Sequence, residues 1–455
     1  MARSISILGA GLVGSLLAII LKKRGYAVTV YERRPDMRTA TIAAGRSINL
    51  AMSTRGWKAL EIAGLKDAIE SIAIPMYGRA LHQTDGTQTF QQYGKNNEAI
   101  YSVSRGTLNK ELMTLAEKEG VKIHFNQRCT KVDVVNNIIF LEQEDGSIKE
   151  IQADLLFGAD GAFSALRHSY TFLERVNAAQ NYLQHGYKEL NIPPSPAHQP
   201  MMEQNALHIW PRKNFMLIAL PNTDYNFTCT LFLPFEGPLS FAQLKSKQDV
   251  KSFFETHFKD AMEMMPTLTD DFFNNPTSSL ITTHVEPWHY KNKSALIGDA
   301  AHAIVPFYGQ GMNAGFEDCT ILAGLLEEMG EDWDTILKKF DDLRKPNGDA
   351  VAELALLNFI EMRDKVADPI FLERKKIEKE LGKLYPTQFN SVYEMVSFSH
   401  TPYQTALSCI NYQNQLLHKI MDEGDFNENR NKEMFIQKLN GWMNEYEQAI
   451  QQLEF

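Results

Sequence analysis

The chain has 455 residues, 44% of them hydrophobic and 22% charged, the balance of a soluble globular protein long enough for two or three lobes. Its formal charge of −10 excludes the basic footprint of a nucleic-acid binder. The four cysteines (Cys129, Cys229, Cys319, Cys409) show no CxxC or Cys/His spacing, so free thiols are expected and a metal site is not. Arg3 and the apolar stretch Ile5–Leu21 imitate a signal peptide, but glycines interrupt it, Lys22, Lys23 and Arg24 follow, and no A-x-A-type cleavage site is present. No apolar run reaches the ~18 residues a membrane span needs. A cytoplasmic chain without a membrane span is therefore expected.

In chain order, Ser4–Leu8 reads as a buried strand, followed at once by Gly9-Ala10-Gly11-Leu12-Val13-Gly14, a helix to about Lys23, and a second strand, Ala27–Tyr31, ending in Glu32. This is G-x-G-x-x-G in the context that confirms it. The glycines serve a tight turn, the close pass of a pyrophosphate and helix–strand packing, and the acid awaits ribose hydroxyls. An acid rather than an arginine at that strand end disfavours a 2′-phosphate, so FAD or NAD is expected there rather than NADP. Gly45–Ser53 (GRSINLAMS) precedes a helix over about Thr54–Ile62, and Arg46 is open between a solvated and a pocket-lining role.

Met76–Phe90 suggests strands, with Arg79 and His82 among apolar neighbours, and Tyr93-Gly94 a turn. Arg105 precedes a helix over Leu108–Glu119; an arginine so placed either hydrogen-bonds a phosphate or ring carbonyl, or only snorkels. Short strands follow at Val121–Phe125, Lys131–Val135, Ile138–Glu142 and Ile148–Ile151, with a hairpin turn at Glu144-Asp145-Gly146. The strand Asp154–Ala159 ends in Asp160-Gly161, with Arg167 beyond. From about Tyr170 to Leu280 the chain is β-rich, with Phe215–Leu220 and Phe227–Phe235 as strands. Such an inserted sheet would wall a pocket with Trp210, Leu231 or Phe232, and for each of them plain core strand is the competing reading.

Ser294–Glu317 (SALIGDAAHAIVPFYGQGMNAGFE) opens as a strand, breaks at Gly298-Asp299, crosses a Pro/Gly-rich loop and enters a helix at about Asn313. Its glycines let backbone approach a flat ligand, and the helix start aims unpaired N–H groups and the positive dipole end at negative charge. Asp299 is placed to accept from ligand hydroxyls. That combination suits the ribityl chain and negative pyrimidine edge of a reduced flavin; an ordinary loop and helix cap is the bland alternative. Beyond it the chain is helical: Cys319–Met329, Trp333–Arg344, Asp349–Lys365, Pro369–Leu384, the apolar Phe389–Phe398, Tyr403–Asp422 and Asn431–Leu453. Asn358 and Tyr393 sit in apolar helical runs and need a partner there, either another side chain or a ligand.

The ordered triple GAGLVG (Gly9–Gly14), GADG (Gly158–Gly161) and GDAAH (Gly298–His302) resembles the FAD-dependent aromatic hydroxylases, single-component monooxygenases of the para-hydroxybenzoate hydroxylase fold. The resemblance implies an α/β fold: a Rossmann-like FAD-binding domain in two parts, 1–170 and 286–330, an inserted β-sheet substrate domain, 171–285, and a C-terminal helical region, 331–455. GRSINLA (Gly45–Ala51), LHIWPR (Leu207–Arg212), FTCTLFLPF (Phe227–Phe235), GDAAHAIVPFYGQGMNAGFEDC (Gly298–Cys319) and NFIEMR (Asn358–Arg363) are similar to one branch of that family, which hydroxylates an aromatic amino acid. Carried over residue by residue, the likeness implies FAD against Gly9, Gly11, Val13, Gly14, Glu32, Arg34, Ala51, Arg105, Asp299, Pro306, Gly311, Met312 and Asn313. It implies the small-molecule substrate against Arg79, Tyr93, Asn358, Tyr393 and Phe232. An arginine fork and a tyrosine hydroxyl suit the carboxylate of such a substrate.

The family further implies NADPH as a transient co-substrate that reduces FAD, and O2 as oxidant. A flavin hydroperoxide then carries the chemistry, so no side chain is catalytic and the protein orients substrate and excludes water. His302 is expected to be structural. Two departures stand out. Eukaryotic members carry a C-terminal membrane anchor, whereas Leu417–Phe455 is polar and amphipathic. No second dinucleotide fingerprint is present, so NADPH is expected to dock at the surface, and no obligatory protein partner is evident. Two alternatives stay open: a related flavin hydroxylase of another aromatic acid, and a non-catalytic FAD-binding redox sensor.

Overall fold

The computed structural model describes residues 4–39, 48–143, 145–361 and 369–453; Arg3, Gly45, Arg46, Ser47, Glu144, Arg363, Lys365 and Phe455, named above, lie outside the described residues. Ser4–Leu8 and Ala27–Tyr31 are rich in branched apolar residues, which suits strands covered on both faces. They form the middle of a six-stranded sheet ordered His289–Tyr290, Ser294–Leu296, Leu155–Gly158, Ser4–Leu8, Ala27–Tyr31, Lys122–His124. Every pair is parallel except the edge pair His289–Tyr290 with Ser294–Leu296. The chain runs from Ser4–Leu8 outward to Ala27–Tyr31 and later returns on the opposite side with Leu155–Gly158. The carboxyl end of Ser4–Leu8 is thus a topological switch point, where open α/β sheets bind ligands. The helices Leu12–Lys23, Arg105–Lys118 and Gly311–Met329 pack beside this sheet. An antiparallel sheet of Arg128–Asp133, Ile138–Glu142 and Ile148–Gln152 adds Val132, Ile139 and Leu141 to the same core.

The second large sheet has seven strands: Thr277–Glu286, Asn177–Ile192, Phe227–Pro234, Phe215–Pro221, Leu207–Arg212, Gly78–His82, Gln88–Gln92. The last two come from within 1–170, not from the expected insertion 171–285. They join because Gly78–His82 runs parallel to Leu207–Arg212, bringing Leu81 opposite Ile209. Strand alternation divides the side chains between two faces. Trp210, Leu217 and Leu231 face the helices Lys247–His257 and Leu268–Asn274, while Ile209, Met216 and Phe232 face Phe307 and Phe359. The second face walls the site.

Trp333–Ile360 is a single 28-residue helix, where the sequence reads two helices with a break near Pro346. Proline in a helix interior removes a backbone hydrogen bond. Tertiary packing outweighs that loss, since Gly348 lies against Trp288 and His302, where a Cβ would meet the indole at 2.8 Å. The junction helix starts at Gly311, two residues ahead of expectation. The C-terminal helices Pro369–Leu384, Tyr403–Asp422 and Glu433–Gln451 build their own core around Ile377, Leu381, Leu416, Ile420 and Phe435. Among the described residues no helix is long and apolar enough to cross a membrane.

Candidate active site

Two loop–helix corners meet at the switch point. In the first, Gly9 has φ +96°, and a Cβ on Gly14 would lie 2.0 Å from the Gly9 carbonyl oxygen, so only glycine lets the helix sit this close to the turn. Space is open above Gly11. Glu32 is buried; its carboxylate accepts the Ala10 N–H at 2.9 Å and is paired with Arg34 Nε at 2.8 Å. Arg34 N also donates to Oε1 at 3.0 Å, so Oε1 is filled by Arg34 and Oε2 retains a lone pair for a further donor.

In the second corner, Gly298 takes φ 60°, ψ −142°, a conformation reserved for glycine. It turns the strand Ser294–Leu296 into the short helix Asp299–His302. Val13 joins the two corners, packed so closely on Gly298 and Gly315 that a Cβ on either would come within 3.0 Å of a Val13 methyl. Among the described residues, the half-buried Asp299 carboxylate accepts no hydrogen bond, and the helix Gly311–Met329 begins without a side-chain cap. Its first turn, Gly311-Met312-Asn313, therefore offers uncapped N–H groups and the positive dipole end.

The Asn313 side chain is itself committed. It accepts from Ser53 N (2.9 Å) and donates to the Ala51 (2.8 Å) and Gly309 (2.9 Å) carbonyls, which ties the strand Asn49–Met52 to the corner. Pro306 begins the turn Pro306–Tyr308 that leads into this helix. Arg105 is exposed at the first position of its helix, whose cap is the Ser104 hydroxyl. An open cradle over Gly11, a free carboxylate at Asp299 and an uncapped helix start fit a dinucleotide with ribityl hydroxyls and an electron-rich ring edge. The residues present fit FAD.

Beside this crevice is a cavity of about 840 Å³ whose lining includes Arg79, Tyr93, Tyr308, Asn358 and Tyr393. The sequence separates these residues by up to about 300 positions, and the fold brings them together. The Arg79 guanidinium carbon stands 4.6 Å over the Tyr393 ring and 5.5 Å over Tyr93, and Nε donates to the Tyr93 hydroxyl at 3.4 Å. Tyr393 stacks on Tyr93 (5.5 Å) and on Tyr308 (5.6 Å). Burial pushes the Tyr93 and Tyr308 hydroxyls well above the usual phenol range, so both are neutral donors. The Asn358 amide donates to the Phe307 carbonyl at 2.7 Å, so a partner left open as side chain or ligand includes a backbone oxygen. It anchors the Pro306–Tyr308 turn shared by crevice and cavity.

Phe232 does not line the cavity. It is buried, 3% exposed, against Phe307 at 4.9 Å, and Phe307 does not line the cavity either. Tyr308 was within reach of the sequence, since it sits in the PFYGQG loop. Glu361, Lys375 and Glu378 also line the cavity, with Lys375 held between Glu378 (3.0 Å) and Glu361 (3.5 Å), a bridge between two helices that no local spacing announces. His302 is buried, stacked on Trp288 at 4.9 Å and bonded to Asp318 at 2.6 Å, which is a structural placement.

Fold and crevice together define a flavin-dependent oxidoreductase with a cavity beside the cofactor corner. A family model described as "FAD binding domain" matches residues 3–355. Kynurenine 3-monooxygenase of Flavobacterium johnsoniae is 50% identical over 418 residues, covering 92% of this chain and 93% of the relative. The same enzyme of Dictyostelium discoideum is 47% identical over 437 residues, covering 93% and 94%. The chain belongs to the kynurenine 3-monooxygenase family of FAD-dependent monooxygenases. This is the branch toward which GRSINLA, LHIWPR and NFIEMR pointed. Among solved structures, 2-methyl-3-hydroxypyridine-5-carboxylic acid oxygenase superposes with a TM-score of 0.65 at 21% identity, covering 82% of this chain and 95% of that one. A tetracycline destructase superposes with a TM-score of 0.62 at 18% identity, covering 87% and 99%. These two bear on the fold alone.

Proposed function

We propose that the chain hydroxylates the ring of L-kynurenine beside its amino group, with NADPH as electron donor and O2 as oxidant. The observation that carries this reading is the Arg79–Tyr93–Tyr393 cluster, a cation against two stacked phenols on the wall of a cavity that adjoins the cofactor corner. An amino-acid carboxylate suits it, because the guanidinium fork binds two oxygens and the neutral Tyr93 hydroxyl adds a donor. Asn358 acts through the Phe307 carbonyl and holds the turn against which the substrate ring lies. Leu81, Ile209 and Leu354 on the cavity wall, backed by the buried Phe307–Phe232 pair, supply an apolar seat and keep water from the ring.

Gly9, Gly11, Val13, Gly14 and Glu32, with Arg34, Ala51 and Arg105, would hold the adenosine and pyrophosphate side of FAD. Asp299, Pro306, Gly311, Met312 and Asn313 would hold its ribityl and ring side. Bound FAD supplies the electron relay by which NADPH and O2 place one oxygen atom on the ring and leave the other as water. The ring amine already activates the neighbouring carbon, so no side chain need act as base or nucleophile, and the protein's contribution is orientation and dryness. In this reading the enzyme is cytoplasmic and acts without an obligatory protein partner; four free thiols accord with a reducing compartment. No observation favours another aromatic acid or a purely redox-sensing role.

The test is incubation of the FAD-loaded protein with NADPH and L-kynurenine in air, with products separated by chromatography. Formation of 3-hydroxykynurenine supports the reading. NADPH oxidation without hydroxylated product refutes the substrate, and a protein that takes up no FAD refutes the cofactor.

A further inference from the structure

We propose that Asp318 is the positioning residue of the cofactor corner, clamping both ends of the Asp299–His302 helix and so directing Asp299. The inference deepens the reading of Asp299 as a FAD ligand and rests on it. Asp318 lies within the junction helix, fully buried. Its Oδ2 accepts the Gly298 N–H at 2.9 Å and His302 Nε2 at 2.6 Å, and its Oδ1 accepts Arg344 Nε at 2.7 Å. The Gly298 carbonyl in turn accepts from Ala301 N (2.8 Å) and His302 N (2.9 Å). Both sides of the Gly298 residue are thus tied, and the four-residue helix is closed into a loop of hydrogen bonds that begins and ends on one carboxylate. Asp299, the first residue of that helix, inherits its direction from this clamp.

A carboxylate at such depth would ordinarily be neutralised. Burial does push its pKa upward, but His302 and Arg344 outweigh burial and hold it below the usual range, so the clamp is ionic. The charge is balanced by a chain of contacts that leads away from the substrate cavity. Arg344 also pairs with Glu317 at 2.7 Å and donates to the Ala314 carbonyl at 3.2 Å. Glu317 pairs with Arg55, which donates to the carbonyls of Met395, Val396 and Thr401 and stands 4.1 Å over the Tyr403 ring. None of Asp318, Arg344 or Arg55 lines the cavity around Arg79. What this network touches near the reaction is the cofactor corner, through Gly298 and His302.

The experiment is a double-mutant cycle on FAD affinity, read as quenching of FAD fluorescence on titration with apoprotein. Asp299→Asn and Asp318→Asn are each expected to weaken FAD about tenfold or more, and the double variant to be no weaker than the worse single one. The visible spectrum of bound flavin should shift alike in both single variants. A merely structural carboxylate would give multiplied losses in the double variant, and that result overturns the proposal. So does Asp318→Asn with wild-type affinity beside a weakened Asp299→Asn. If Asp299→Asn binds FAD as wild type does, the ligand reading of Asp299 falls and takes the inference with it. Should Asp318→Asn fail to fold, Arg344→Lys, which keeps the charge but not the Nε bond, enters the same cycle with the same outcomes.

Discussion

Arg79→Ala removes the guanidinium that contacts both Tyr93 and Tyr393 on the cavity wall. The backbone at this position is paired on both sides, to Leu207 and to Gln91, so truncation leaves the strand in place. At 3.4 Å the bond to the Tyr93 hydroxyl is long, and the ring contacts are those of a partly exposed cation, so the loss to folding is about 1 kcal/mol. The loss to substrate is larger. A charge-assisted hydrogen bond to a carboxylate is worth roughly 1.5–3 kcal/mol, or about a ten- to hundredfold rise in the half-saturating kynurenine concentration. Arg79→Lys should fall between the two, because it keeps the charge and loses the planar fork. The assay is the anaerobic rate of flavin bleaching by NADPH as kynurenine is titrated, with FAD affinity of the apoprotein as control. An unchanged half-saturating concentration refutes the anchoring role, and a parallel fall in FAD affinity would mean that the variant perturbs the fold instead.

Tyr393→Phe keeps the stacking on Tyr93 and Tyr308 and removes only a hydroxyl, so kynurenine should bind about two- to tenfold more weakly; no change would take the hydroxyl out of the site. Gly298→Ala forces an alanine to φ 60° with its Cβ 3.0 Å from Val13, a strain of roughly 1–3 kcal/mol that should lower the melting temperature and weaken FAD; calorimetry showing wild-type stability would refute it. His208 is buried between His82 Nε2 (2.9 Å) and the Glu203 carbonyl (2.8 Å), and burial lowers its pKa to about 4. The unfolded chain takes up that proton near pH 6.5 and the fold resists until about pH 4, so this stability is full above pH 6.5 and drains as pH falls, by on the order of 3 kcal/mol in all. His208→Asn should therefore melt with a shallower pH dependence than wild type between pH 7 and 4, and equal slopes would refute the assignment.

Much of the cofactor corner was legible because its signals are local. GAGLVG, the strand before it and Glu32 after it lie within about 30 residues, and each glycine answers a constraint set by its immediate neighbours. The strand Ser4–Leu8 and the helix Tyr403–Asp422 fall where periodicity puts them. The break expected near Pro346 is absent because Trp288, His302 and Asp318 lie far away in sequence and hold that helix from outside. Phe232 reads as pocket lining from its strand alone; the strand does face it toward that side, but Phe307, some 75 residues later, packs on it and both are buried in one cluster. Gly78–His82 joins the second sheet rather than the first lobe for a similar reason, since its partner strand is more than 120 residues away.

By itself, the amino-acid sequence determined that this chain binds a dinucleotide at a strand–turn–helix corner and belongs among the flavin hydroxylases, because those motifs are short and their geometry is steric. Only the tertiary structure decided that Arg79 meets both Tyr93 and Tyr393, that Asn358 donates its amide to the Phe307 carbonyl, and that Asp318 ties Gly298 to Arg344. Such contacts join residues separated by anything from 14 to about 300 positions. No propensity or spacing encodes them. They exist because two sheets and a helical region close on one another, and desolvation there leaves each buried charge or amide to the partner that packing supplies.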